Sequence, residues 1–198
     1  QSGASAVLLQ MDTPGGLDRS MRDMIQAIAQ STIPVITYIT PTGARAASAG
    51  TYLLYASHIA AMSPGTNLGS ATPVSIAPTP KQDTPIEDIE TPEKPSQESL
   101  SSMEKKIIND AVAYIKGFAE IHGRNAEWAE DAVRDAASLP SYDALDLNVI
   151  DIVASDHDEL FSQIVDYPIV LEGQHTQISL DSWQLIYVNP DWKTKFLA

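Results

Sequence analysis

Cysteine is absent from the chain, which excludes disulfides, thiol nucleophiles and cysteine-ligated zinc. Basic residues are scarce as well: 12 Lys and Arg stand against 26 Asp and Glu, for a formal net charge of -14. A nucleic acid or an anionic lipid surface needs a basic patch to offset phosphate charge, so neither is expected as the main partner. No apolar run reaches the roughly 18 residues of a spanning helix, and no basic start followed by an apolar segment marks a signal peptide. What is present is 43% apolar content over 198 residues, enough for one core with a small appendage. The chain closes on Trp192-Lys193-Thr194-Lys195-Phe196-Leu197-Ala198, an aromatic and basic pattern of the kind that flanks membrane segments. The expectation is a soluble piece of a longer protein, with the absence of cysteine leaving its compartment open.

Along the chain, strand-like and helix-like stretches alternate. Ala6 to Met11 reads as a buried strand, and Leu17 to Gln30 carries Met21, Met24, Ile25, Ile28 and Ala29 at helical spacing. Pro34 to Ile39 predicts a second strand, Ala44 to Ala56 a helix, His58 to Met62 a third strand, and residues 99 to 122 a long helix with Ile108, Ala111, Val112, Ile115 and Ala119 on one stripe. Asn125 predicts the cap of a helix to Arg134, followed by a short helix near Tyr142 to Leu145 and a strand from Asn148 to Val153. Strands separated by helices imply an α/β fold with a mostly parallel sheet and βαβ units. Tyr167 to Val188 alternates like a strand pair, giving an expected division into a main domain, 1–166, and a β extension with a juxtamembrane tail, 167–198. Residues 73–99 break the pattern with six prolines, from Pro73 to Pro95, among Asp83, Glu87, Asp88, Glu90 and Glu93, and predict a mobile acidic loop.

Three features carry chemistry. Ser48 stands in the small-residue run Gly43 to Gly50, after a strand and at the start of a helix, where first-turn amides face the hydroxyl and any developing anion. On its own that run also reads as a close-packed helix. Gly15-Gly16, after the first strand, presents bare backbone at the strand end where parallel sheets bind ligands, and its amides with that of Ala49 would form an oxyanion hole. A serine nucleophile needs a base. His58 starts a strand, His122 lies near a helix end where a protonated imidazole suits the dipole, and His157 and His175 sit in polar sequence. Lysine is the alternative, and Lys105 and Lys106 follow the acidic loop.

The set Met11-Asp12-Thr13-Pro14-Gly15-Gly16, the Ser48 run, Ser63-Pro64-Gly65-Thr66-Asn67-Leu68-Gly69 and Lys106 to Ile115 resembles the soluble domain of NfeD-type membrane-bound serine proteases, a ClpP-class family related to signal peptide peptidase A. The similarity extends through His122-Gly123-Arg124-Asn125 to Asp151. The resemblance implies a ClpP/crotonase-like fold, a Ser-Lys dyad without metal or cofactor, and cleavage of hydrophobic polypeptide segments with stomatin-like partners, in a homodimer or larger homo-oligomer. It assigns the nucleophile to Ser48, the base to Lys106, the oxyanion amides to Gly16 and Ala49, and a substrate-binding position to Gly15. Leu68 to Pro73 lacks the histidine of a ClpP triad, so no such triad is expected. Periodicity puts Lys105 nearer the apolar stripe whereas the family spacing chooses Lys106; the two agree if regular helix begins only after the lysine. Asn148 stands where relatives often have glycine, in keeping with a left-handed helix end. A non-proteolytic scaffold with the same fold is the alternative. A crotonase-type acyl-CoA enzyme fits less well, because an acidic surface disfavours the CoA phosphates.

Overall fold

The computed structural model describes residues 4–73, 102–178 and 183–188, so the expected acidic loop lies outside the described residues from position 74 onward, as does the basic end of the tail. The architecture is mixed α/β. Strands β1 (Val7–Met11), β2 (Val35–Ile39), β4 (Ile59–Met62) and β7 (Ile152–Val153) form a parallel sheet in the order β1-β2-β4-β7. Helix α1 (Asp18–Ala29) links the first two strands. Every residue of β2 and β4 is buried, as a parallel sheet covered on both faces requires.

The period of two then divides those strands between two cores. Val35, Ile39, Ala60 and Met62 face α1 together with α2 (Ala49–Ala56), α3 (Ser102–Ile121) and α4 (Ala126–Arg134). Ile36, Tyr38, Ile59 and Ala61 face α6 (His157–Ile164) and Ile169 of the hairpin β8 (Pro168–Leu171) and β9 (Gln174–Gln177). The stripe expected on α3 is where that helix packs: Ala111, Val112, Ile115 and Ala119 are buried and Ile108 is half-buried. Met24 departs from its expected place; it is 45% exposed, on the outer side of α1.

A second, small sheet holds the region around Ser48. Strand β3 (Arg45–Ala47) pairs in parallel with β5 (Asn67–Gly69), which pairs antiparallel with β6 (Ser138–Pro140). The helix expected over Ala44 to Ala56 is therefore strand up to Ala47 and helix only from Ala49. Three-residue strands carry too little alternation to be legible, and small residues fit either state.

Asn125 caps α4 as expected, its Oδ1 accepting from the Trp128 amide at 2.9 Å. After α5 (Ser141–Asp146), Asn148 adopts φ 56 and its amide group donates to the Gly123 carbonyl at 2.8 Å. The strand expected from Asn148 shortens to Ile152–Val153. Helix α6 went unanticipated, although its start is legible: Asp156 accepts from the Glu159 amide and the Glu159 carboxylate accepts from the Ser155 amide, both local caps of an Asp-x-x-Glu pattern.

Candidate active site

At the end of β1 the chain is held alongside β3. Thr13 donates its amide to Arg45 O at 2.7 Å and accepts from the Ala47 amide at 3.1 Å, while Asp12 Oδ1 accepts from the Arg45 amide at 3.1 Å. Asp12 thus braces the turn. Thr13 Oγ1 accepts from the Gly15 amide and donates to the Gly15 carbonyl, both at 3.1 Å. Gly15 is thereby committed locally. The amide of the exposed Gly16 has no partner among the described residues and remains the free donor of the pair.

Ser48 joins β3 to α2 at φ 52 and ψ -118, a left-handed turn that strains a residue with a side chain by about 1–3 kcal/mol. Its amide donates to Gly69 O at 3.0 Å and its carbonyl accepts from the Thr51 amide at 2.9 Å. A sharp strand-to-helix turn of this kind pushes a hydroxyl out from the backbone, and Ser48 is half-buried with no hydrogen-bond partner for Oγ among the described residues. The next amide, that of Ala49, is at the first helical position, where no carbonyl of the helix can reach it.

The glycines make this approach possible. A Cβ on Gly15 would lie 2.9 Å from Ser48 Cβ and 3.4 Å from its Oγ, and one on Gly16 would lie 3.8 Å from Ala49 Cβ. Gly50 lets α2 seat on the strand end, since a Cβ there would come within 2.7 Å of Thr13 Cγ2. Gly15 and Gly16 from one stretch of sequence and Ser48 and Ala49 from another are thus neighbours.

The lysines are positioned by the helices. Helices α2 and α3 pack together and run the same way: the Tyr55 and Ser57 carbonyls at the end of α2 accept from Arg124, just past the end of α3, and the His58 and His122 rings lie 5.8 Å apart. Nearer the other end, Arg22 of α1 bonds Asp110 at 2.5 Å and stacks 4.4 Å over the Tyr114 ring. Tyr52 of α2 is buried, which pushes its phenol above its ordinary range, and it feels the charges of Asp18, Arg22 and Asp110. One turn back along α3 from Asp110, about 6 Å, leads to Lys106.

Lys106 shares its helix row with Asp110 and Tyr114, the row that faces α1. Lys105 shares the row of Asn109, Val112 and Lys116, which turns to α4 through Arg134–Asn109 at 3.1 Å and Lys116–Glu130 at 2.6 Å. Helix begins at Ser102, before both lysines, so direction of the row separates them and a late helix start does not. Both lysines are exposed, and neither has a hydrogen-bond or ion-pair partner among the described residues.

The histidines lie elsewhere. His58 Nδ1 accepts from the Val35 amide at 3.1 Å, and burial followed by the Arg124 charge pulls its pKa down. Burial first, then Arg124 and His58, pull His122 down to about 4, so the protonated imidazole expected at that helix end is instead neutral. Both line a cavity of about 430 Å³ with Asp151, Tyr167 and Ile169, at the far end of α2 from Ser48. His157 packs across the sheet against Tyr38, ring centroids 5.9 Å apart. Two supports of the site escaped the sequence reading. One is Thr51, completely buried beneath Ser48; the other is the buried Arg124–Asp151 pair at 2.5 Å, which ends α2. A buried threonine carries no periodic signal that separates it from core packing.

Comparison with known proteins bears on this geometry. A family model described as the N-terminal domain of NfeD1b matches residues 1–82. Over its full length the chain is 37% identical across 200 residues to the membrane-bound protease PH1510 of Pyrococcus horikoshii, and it spans 42% of that protein. It is 45% identical over 69 residues to the membrane protein NfeD1b of Bacillus subtilis, covering 34% of this chain and 15% of that one. The chain therefore spans less than half the length of either relative. Among solved structures it matches the 1510-N membrane-bound stomatin-specific protease. A lysine-to-alanine mutant in complex with a substrate peptide superposes with TM-score 0.80 at 36% identity, over 98% of this chain and 82% of that one. A serine-to-alanine mutant gives TM-score 0.80 at 36% identity, over 96% and 85%.

Proposed function

The chain belongs to the NfeD-type family of membrane-bound proteases, whose ClpP-like fold it shares, and from that premise we propose that it is a serine endopeptidase with Ser48 as nucleophile and Lys106 as general base. The observation that carries the proposal is the left-handed turn at Ser48, with Gly15 against its side chain, Gly16 against Ala49, and the amides of Gly16 and Ala49 without a partner among the described residues. The existence of serine-to-alanine and lysine-to-alanine mutants of the related protease supports the same pair.

Lys106 takes the hydroxyl proton as Ser48 Oγ attacks the peptide carbonyl carbon, and the Gly16 and Ala49 amides hold the oxyanion. Lys106 then passes the proton to the leaving amine as the C–N bond breaks. The Lys106 amine next takes a proton from water as the water oxygen attacks the acyl carbon, and gives that proton to Ser48 Oγ as the ester C–O bond breaks. Loss of one oxyanion donor in such a site costs about 10²–10³ in kcat.

An extended substrate would lie along the bare Gly15-Gly16 backbone, bonding through its main chain. Leu17 at the start of α1 and Met103 near the start of α3 are 63% and 66% exposed, and Ile107 is 36% exposed, an apolar rim suited to hydrophobic segments of membrane-associated proteins such as a stomatin-like partner. Residues 1–166 form the peptidase domain and 167–198 an extension toward the membrane, on the extracytoplasmic side, and the domain works as a homodimer or larger homo-oligomer. No helix among the described residues is long and apolar enough to cross a membrane.

A fluorophosphonate probe tests the assignment. Labelling and cleavage of an apolar peptide should vanish in Ser48→Ala, cleavage should vanish in Lys106→Ala, and both should persist in Lys105→Ala; labelling that survives Ser48→Ala refutes the nucleophile. The second reading, a non-proteolytic scaffold, draws on the lack of a hydrogen-bond partner for Lys106 among the described residues. A folded protein that never reacts with the probe would favour it.

A further inference from the structure

We propose that Thr51 is the positioning residue of the nucleophile turn: its buried hydroxyl fixes Gly69 and, through Gly69, holds Ser48 in its left-handed conformation. The inference rests on the reading of Ser48 as nucleophile. Thr51 is completely buried, so it cannot touch a substrate. Its Oγ1 donates toward the carbonyls of Ala46 at 2.9 Å and Gly69 at 3.0 Å, and accepts from the Gly69 amide at 3.1 Å. Both backbone groups of Gly69 are thus gathered at one hydroxyl.

Gly69 in turn holds the serine. Its carbonyl accepts from the Ser48 amide at 3.0 Å, and the Thr51 amide returns to the Ser48 carbonyl at 2.9 Å. Residues 48, 51 and 69 therefore close a ring of hydrogen bonds around the turn. Gly69 has little freedom to shift: it sits at φ 130, and a Cβ there would come within 2.2 Å of Ala137 O. A non-glycine residue in a left-handed turn persists only where its surroundings over-determine it. Part of that over-determination passes through one side-chain oxygen, and an isosteric Val would remove its bonds to Ala46 and to both backbone groups of Gly69.

The test compares Thr51→Val and Thr51→Ser. For Thr51→Val, kcat and the fluorophosphonate labelling rate should fall about ten- to hundredfold, the range expected for a lost buried hydrogen bond, with KM within about twofold because the residue lies beneath the site. Thr51→Ser, which keeps the hydroxyl, should stay within about threefold of the native rate. A crystal structure of Thr51→Val should show Ser48 relaxed from its positive φ. A folded Thr51→Val that labels at the native rate, or keeps Ser48 near φ 52, overturns the proposal. So does a Thr51→Ser variant as impaired as the Val variant, which would assign the effect to packing of the methyl group; this arm remains decisive if Thr51→Val does not fold. Native protein that fails to label at Ser48 refutes the nucleophile instead, and the Ser48 conformation in Thr51→Val then decides the positioning role alone.

Discussion

Adding one methyl group at Gly15 should cost more than its size implies, because that carbon would enter the site. A Cβ at Gly15 would stand 2.9 Å from Ser48 Cβ and 3.4 Å from Oγ, so Ser48 or the Gly15 turn must move by most of an ångström to regain ordinary contact. Neither moves freely. Ser48 is tied through its amide to Gly69, and Gly15 is tied at both its amide and carbonyl to Thr13. At φ 133, alanine at Gly15 also adopts a conformation that costs about 1–3 kcal/mol, and overpacking adds about 1–3 kcal/mol. Gly43→Ala is the control, since Gly43 also has a left-handed φ of 90 but nothing within 4 Å of its Cβ position. It should lose only about 1 kcal/mol of backbone strain, a melting-temperature drop of about 2–4 °C, and label normally. Gly15→Ala should lose about 2–6 kcal/mol of stability, or else relieve the clash by displacing Ser48, in which case labelling falls about a hundredfold. Thermal melts and fluorophosphonate labelling rates measure the two costs. A Gly15→Ala protein that matches Gly43→Ala in both would refute the contact between the glycine pair and the serine.

Other expectations follow from the supports around the site. Arg124→Met should destabilise the fold by about 3–5 kcal/mol in chemical denaturation, because it leaves the Asp151 carboxylate buried and strips the carbonyls that end α2 of their donor. Asn125→Ala should cost about 1 kcal/mol through loss of the α4 cap, read from the denaturation midpoint. His122 binds its proton at about pH 4 in the fold and near 6.5 when unfolded, so between those values the unfolded chain holds more protons and stability falls as pH falls. The loss across that window is on the order of 3 kcal/mol, His58 adds to it in the same direction, and His122→Gln should show a shallower decline in melting temperature; equal pH slopes would contradict the buried, neutral assignment.

The sequence revealed those parts of the fold that repeat a local signal often enough to be read. β2 is apolar along most of its length, α3 shows four buried positions on one stripe, and Asn125 and Asn148 occupy places that a cap and a left-handed residue require. Helix α6 was as legible through Asp156 and Glu159 and was missed because its first turn reads as polar surface. Strand β3 was not legible. Ala46 and Ala47 have no preference strong enough to outweigh the helix that follows, and their state is decided by pairing with Leu68 and Gly69, 22 residues away.

Around the candidate site, the sequence by itself determined the residue types: a serine among small residues, two adjacent glycines, and two lysines on one helix. Tertiary structure brought the glycine pair against Ser48 and Ala49 and turned the two lysine rows toward different helices. Which lysine row faces α1 depends on which helices pack on either side of α3, since periodicity defines rows but not their partners. The turn at Ser48 is held by the local bond from the Thr51 amide and by the carbonyl of Gly69, distant in sequence, because left-handed backbone is unfavourable for serine unless its surroundings repay the strain.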